Sequence, residues 1–289
     1  MAHSNTTATE KGSGEKGSGA VRLGTFAGVF TPSILTILGI ILFRRMGYVV
    51  GSAGFLDALI ILALANIISL LTTVSLAAIA TNIDVQKGGD YYLISRTLGL
   101  EFGGAIGIVL FFAQSVSIAF YCIGFGEAMA EIFPVAARAW PQIIAAVAVC
   151  FLFIFAWLGA DWASRFQFGV MAVLALALVS FFAGGILNWD VNTFGKTWHS
   201  APDSPPFWVL FAIFFPAVTG FTQGVSMSGD LKDPGKSLPA GTFAAVGFSF
   251  LVYLGAAVVF AGAADQPALV ADYNAMNRVA VFQSLIFAG

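Results

Sequence analysis

Charge is what this sequence has least of. Only 10% of its 289 residues are Asp, Glu, Lys or Arg, and the net charge is −2. Soluble domains carry roughly 25% charged residues, so a water-exposed globular fold is excluded. No basic patch stands out, so no nucleic acid partner is expected. The two cysteines, Cys122 and Cys150, both lie in apolar runs. Cys in such a setting packs as a small hydrophobe, so neither a disulfide nor a metal site is expected. His3 and His199 fall in a tail and a loop and make no metal pair. The first 20 residues lack the apolar stretch of a secretory signal peptide. No motif for covalent chemistry, nucleotide binding or metal catalysis is present. The sequence therefore reads as a non-enzyme with no cofactor.

Apolar residues dominate instead, at 58% of the chain and a mean hydropathy of +0.89. A membrane-crossing helix needs about 20 mostly apolar residues. Seven runs qualify, near 24–48, 53–80, 102–132, 141–159, 166–187, 207–227 and 241–263. An eighth is expected to begin near Arg278 and to stop short at Gly289, as a truncated helix would. Two domains follow: residues 1–22, a disordered cytoplasmic tail too polar and Gly-rich to order itself, and residues 23–289, an all-α membrane domain. Lys and Arg in short loops set orientation. With the N-terminus inside, eight lie on the cytoplasmic side (Lys11, Lys16, Arg22, Lys87, Arg96, Arg165, Lys232, Lys236) and five outside (Arg44, Arg45, Arg138, Lys196, Arg278). The apolar faces are expected to meet membrane lipids.

The connection 81–101 is too polar to span. Within it Asp90–Arg96 reads as a short helix along the cytoplasmic face, either a gate element or an interfacial helix anchored by Tyr91 and Tyr92. Trp189, Trp198 and Trp208 read as belt residues of an outer loop. Asp233-Pro234-Gly235 reads as a turn, with Pro239 just ahead of the seventh span. Asp57 and Glu127 are acidic residues inside apolar runs, candidates for function by type, but both sit near a span end where water is within reach.

Two spans break their own pattern. The sixth carries Pro216, Thr219 and Gly220 in mid-run, and the first carries Pro32, Thr36 and Gly39. Proline removes a backbone donor and clashes with the preceding turn, and glycine costs a helix about 1 kcal/mol relative to alanine. Each span is expected to unwind and resume. Five spans separate one break from the next, counting from the first. Paired interruptions at corresponding positions of two halves point to a transporter's binding site. Helix C-terminal ends favour cations and N-terminal ends favour anions. Thr36, Ile37 and Pro216 then offer carbonyls to a cation. Gly39, Ile40 and Ile41 offer N–H groups to one anion, and Gly220, Phe221 and Thr222 to another. The bare Cα of Gly220 is expected to leave room for that ion, and the segment to lie outside any packed seam.

Several stretches resemble a known family. PSILTILGIILFRRMGYVVGSAG, GGDYYLISRTLGLEFGG, FYCIGFGEAM and FFPAVTGFTQGVSMSGDLKDPGKSLPAGT are similar to the cation–chloride cotransporters. These belong to the amino acid–polyamine–organocation superfamily, with five-plus-five inverted repeats and broken first and sixth helices. The resemblance implies secondary active symport of chloride with potassium, with sodium as a further candidate. It implies a potassium site from Thr36, Ile37, Tyr121, Pro216 and Thr219, and chloride sites at Gly39, Ile40, Ile41 and at Gly220, Phe221, Thr222. Only the family singles out Tyr121, whose alternative is a packed aromatic with a bonded hydroxyl. The sodium site would use backbone near Leu35 and Leu38 and hydroxyls beyond Gly289. The family usually has Asn where this chain has Thr36, a change that a main-chain ligand tolerates. A homodimer of the full-length protein is a further implication. Two rivals stand: an amino acid or amine transporter of the same fold, which Ile40, Ile41 and Phe221 would crowd, and a non-transporting accessory subunit.

Overall fold

A computed structural model describes residues 22–83, 85, 88–132, 139–158 and 160–288. The expected tail lies outside them, apart from Arg22. Seven helical stretches are long and apolar enough to cross a membrane, and they fall where hydropathy places them. The first span opens with a π-helical turn, Phe26–Phe30, and continues as α1, Thr31–Ile37. It breaks at Leu38 and Gly39 and resumes as α2, Ile40–Arg44. Pro32 is not part of this break. It sits where the π-helical turn passes into α1, in continuous helical backbone.

The next helix, α3, runs Met46–Asn82, but Gly54 at φ 75° divides it. The kink sets residues 46–53 apart from the rest of the second span. A side chain at Gly54 would run into the His199 carbonyl and come within 2.7 Å of Ser200 N. The flanking chain is clasped there: Phe55 N–H donates to Thr197 O at 2.8 Å, and Ala201 N–H to Ser52 O at 3.0 Å. Only glycine combines that φ with that approach.

Then come α4 (Gly89–Leu98), α5 (Leu100–Ile132), α6 (Trp140–Leu158) and α7 (Ala160–Leu187). The connection after α7 holds α8, Val191–Lys196, capped by Asp190, whose carboxylate accepts the Asn192 and Thr193 N–H groups. Those bonds hold its pKa below the ordinary carboxylate value. The sixth span is α9 (Phe207–Phe214), two 3-10 turns (Phe215–Val218 and Gly220–Thr222) and α10 (Gln223–Ser226). The seventh is α11, Pro234–Ala263. Short helices α12 (Gln266–Ala271), α13 (Ala275–Val279) and α14 (Gln283–Ala288) follow.

Two expectations need correction here. Asp233-Pro234-Gly235 is no free turn. Asp233 caps α11 by accepting the Lys236 N–H, Pro234 takes the first helical position, and Pro239 lies inside the helix. The signal was legible, since an acidic cap followed by proline opens helices. The helix expected from Arg278 starts only at Gln283, because Ala280 is extended and Ser180 of α7 captures the Val281 and Phe282 N–H groups. Trp189 and Trp198 each meet the Phe194 ring, and Trp198 also meets Phe55, while both stay partly exposed. Trp208 is 69% exposed, as a belt residue is.

The core lies between the first, second, sixth and seventh spans, with Phe181 of α7 wholly buried beside Phe260. More than half of the first span's most apolar window is buried (56%), against 6% for the third and fourth spans. The broken helix is thus central, and α5 with α6 forms a peripheral hairpin. On the α4 side a smaller cluster joins Val29, Val85, Leu93, Val225, Leu231 and Leu238. Leu93 anchors α4 there, so α4 is packed beneath the bundle as well as lying across its face. The same side carries a one-pair parallel bridge. Leu23 N–H donates to Asp230 O at 2.7 Å, and Lys232 N–H to Leu23 O at 3.0 Å.

Candidate functional site

Both mid-span breaks exist, and they lie against one another. An atom at the Cβ position of Gly220 would stand 2.6 Å from Thr36 Cγ2, 2.8 Å from Thr36 Cβ and 3.0 Å from Ile37 N. The expected vacancy at Gly220 is therefore filled by Thr36, and the junction is a packed seam. An ion at the Gly220 N–H must approach from another direction.

Unwinding frees backbone groups that hydrocarbon cannot satisfy. Hydroxyls from three spans satisfy the carbonyls. Ser33 of α1 donates to Phe221 O at 3.0 Å, Ser69 of α3 to Val218 O at 2.8 Å, and Tyr253 of α11 to Ile37 O at 2.7 Å. Within the breaks, Thr36 donates to Pro32 O at 2.8 Å and Thr219 to Pro216 O at 2.9 Å. Pro216 O also accepts the Thr219 N–H at 3.4 Å, so both of its lone pairs are engaged, whereas a carbonyl with a single donor keeps a second lone pair. Sequence reasoning missed Ser33, Ser69 and Tyr253. Tyr253 carried a signal: a tyrosine in the middle of an apolar span, away from both interfaces, must spend its hydroxyl inside the protein.

The N–H side differs. Leu42 is the first described donor within α2, reaching Gly39 O at 3.0 Å. The Gly39, Ile40 and Ile41 N–H groups precede it, as the free donors of a helix start do. In the second 3-10 turn Gln223 N–H closes onto Gly220 O, which leaves Gly220, Phe221 and Thr222 ahead of the bond. Ile41 and Phe221 are buried in the core cluster. Ile40 lines the cavity beside Gly39.

Gly39 and Tyr121 face each other between two cavities. The Gly39 Cβ position would lie 3.3 Å from Thr36 O and 3.7 Å from Tyr121 Cε1. On the α4 side, a cavity of about 460 Å³ is lined by Leu35, Thr36, Gly39, Tyr121, Gln167 and Gln223 among others. On the α8 side, one of about 220 Å³ is lined by Gly39, Ile40, Arg44, Tyr121, Asn274 and Asn277 among others. Arg44 of α2 stands 3.8 Å from Glu127 of α5 and donates to Asn274 Oδ1. Glu127 thus has a partner across the second cavity.

Leu35 and Leu38 do not converge. Leu35 lines the cavity of Tyr121, and Leu38 lines a separate apolar cavity of about 550 Å³ against α7 and α11. Cys122 and Cys150 are free thiols. Among the described residues, no group of three or more His, Cys, Asp or Glu gathers.

Two interrupted spans that meet at their breaks, among seven apolar helices, define a polytopic membrane fold of the broken-helix class. A family described as amino acid permease matches residues 28–286. The chain belongs to that family. It is 37% identical over 258 residues to solute carrier family 12 member 2 of Squalus acanthias, covering 83% of this chain and 22% of that protein. It is 36% identical over 260 residues to the Homo sapiens member 2, covering 83% and 21%. For member 1 of Oryctolagus cuniculus the identity is 35%, covering 83% and 24%. The chain thus spans between a fifth and a quarter of the length of these relatives. They fall in the group to which the motifs pointed.

Proposed function

We propose that this chain is the ion-handling part of a secondary symporter moving chloride with potassium, with sodium as a further candidate. The observation that carries the reading is the contact of the two broken helices, Thr36 against Gly220, beside a septum of Gly39 and Tyr121 that both cavities share. Potassium is held by the Thr36, Ile37 and Pro216 carbonyls, the Thr219 hydroxyl and the Tyr121 hydroxyl. The carbonyl ends carry partial negative charge, and Pro216 O takes the ion in exchange for one of its two bonds from Thr219. One chloride takes the N–H groups of Gly39, Ile40 and Ile41, and a second takes those of Gly220, Phe221 and Thr222. Sodium would use backbone at Leu35 and Leu38. Alternating access follows when the two cavities open in turn around the septum. The N-terminus faces the cytoplasm, in the plasma or cytoplasmic membrane, and the full-length protein forms a homodimer.

The test is uptake of rubidium by full-length protein in liposomes. Uptake should require chloride, and equal uptake with gluconate in its place overturns cotransport. A second reading keeps one observation behind it. The cavity of about 460 Å³ has the size of a small-molecule site, as an amino acid or amine carrier needs. Competition of rubidium uptake by amino acids would identify that carrier, and a purified protein without flux would identify an accessory subunit.

A further inference from the structure

Asp90, near the start of α4, lies outside every group assigned above. It lines a cavity of about 180 Å³ together with Gly88, Gly89, Tyr91, Leu110, Gln114 and Ser226. Three elements build it. The Gly88 and Gly89 backbone has φ 129° and 55°, which lets α4 start hard against the end of α10. A Cβ on Gly89 would sit 3.1 Å from Ser226 Cα. From α5 comes Gln114 and from α10 comes Ser226, each with an oxygen to offer.

The cavity's place follows from helix geometry. Gln114 precedes Tyr121 by seven residues on α5, so both fall on one face, about 10 Å apart along the axis. Ser226 follows Gln223 by three residues on α10, again on one face. Tyr121 and Gln223 line the larger cavity beside the breaks. Gln114 and Ser226 line the Asp90 cavity. The same two helices therefore lead from the septum to Asp90.

No described residue neutralises this carboxylate. The other lining groups are uncharged: Tyr91 on its own helix, Leu110 and Gln114 on α5, and Ser226 on α10. Arg96 is turned onto the Tyr92 ring, 5.4 Å from its centre. Lys87 lies outside the described residues. Burial raises the Asp90 pKa to about 6. An isolated buried carboxylate must either take a proton or find a cation.

We propose that Asp90, Gln114 and Ser226 form a second monovalent-cation site at the α4-side mouth of the pathway, where an alkali ion and a proton compete for the Asp90 carboxylate. Hard oxygen donors of this kind suit alkali cations. The cavity holds such an ion with a few waters, each occupying roughly 30 Å³. The inference rests on the symport reading for the ion's route, and on the local cavity alone for its binding.

Two measurements on full-length protein test it. In liposomes, the apparent rubidium affinity from the α4 side should weaken several-fold as the pH on that side falls through about 6. Asp90→Asn should show a weaker affinity that is flat across the same range, with chloride dependence retained. Superimposable pH profiles for the two proteins overturn the site. Loss of chloride dependence in both overturns the symport reading and leaves the cation site standing. The second measurement needs no flux. Rubidium should raise the Tm of the purified wild type more at neutral than at acid pH, and that difference should vanish in Asp90→Asn. An equal difference in both proteins overturns the site.

Discussion

Substituting Gly220 by alanine sets two opposing effects against each other. In a merely kinked helix, alanine would restore propensity and stabilise the protein by up to about 1 kcal/mol. The observed junction predicts the opposite. The new methyl would meet Thr36 Cγ2 at 2.6 Å, Thr36 Cβ at 2.8 Å and Ile37 N at 3.0 Å. None of these is the free end of a flexible side chain, so the two breaks must part. Overpacking of this kind costs about 1–3 kcal/mol, which exceeds the propensity gain over most of that range. Gly220→Ala should therefore lower the Tm of full-length protein and reduce rubidium uptake, and Gly220→Val should do both more severely. Thr36→Ser removes the nearest methyl and keeps the hydroxyl. The double mutant Thr36→Ser/Gly220→Ala should recover part of the loss, with a coupling energy of about 0.5–3 kcal/mol. A stabilised, fully active Gly220→Ala, or strict additivity in that cycle, would falsify the packed junction.

Other outcomes follow from single contacts. Tyr121→Phe should raise the apparent rubidium KM by an amount equivalent to roughly 1–3 kcal/mol with normal expression; an unchanged KM makes Tyr121 a packing residue. Tyr253→Phe strands the buried Ile37 carbonyl and should lower stability by about 1–3 kcal/mol; a melt identical to wild type would remove that hydroxyl from the support of the break. Asp90 gives a pH effect whose sign is fixed. Its folded pKa is raised from 3.8 to about 6, so its contribution to stability is full below the unfolded value and is lost as pH rises through about 6. In a buffer free of alkali cations, Asp90→Asn should lack this slope and be more stable at neutral pH, by no more than roughly 3 kcal/mol. Parallel stability–pH curves for the two proteins would contradict the burial of that carboxylate.

The seven spans and both breaks could be read from the sequence because each depends on local chemistry. Twenty apolar residues announce a crossing, and Pro216 with Gly220 announces an interruption. What the sequence hid depends on contacts between distant segments. Pro32 looks like Pro216 in a list of residues, yet one opens α1 and the other sits in a 3-10 turn. Gly220 looked like a vacancy until Thr36, 184 positions earlier by the numbering, was found in it. Ser33, Ser69 and Tyr253 have ordinary identities, and only their partners make them matter. Residues 264–282 fold as two short helices and an extended link because Ser180 and Asp272 supply bonds, which no periodicity records. The oxygen donors of the candidate cation site were legible in type. That the Ile37 carbonyl already accepts the Tyr253 hydroxyl was not.

The Leu23–Leu231 bridge gives the first span a mechanical tether. Its two hydrogen bonds join the chain just before the π-helical turn to the chain just after α10. Force applied to the residues preceding Leu23 is shared with the far end of the sixth span before it reaches Gly39. Tilting α1 alone would first have to shear that pair of bonds.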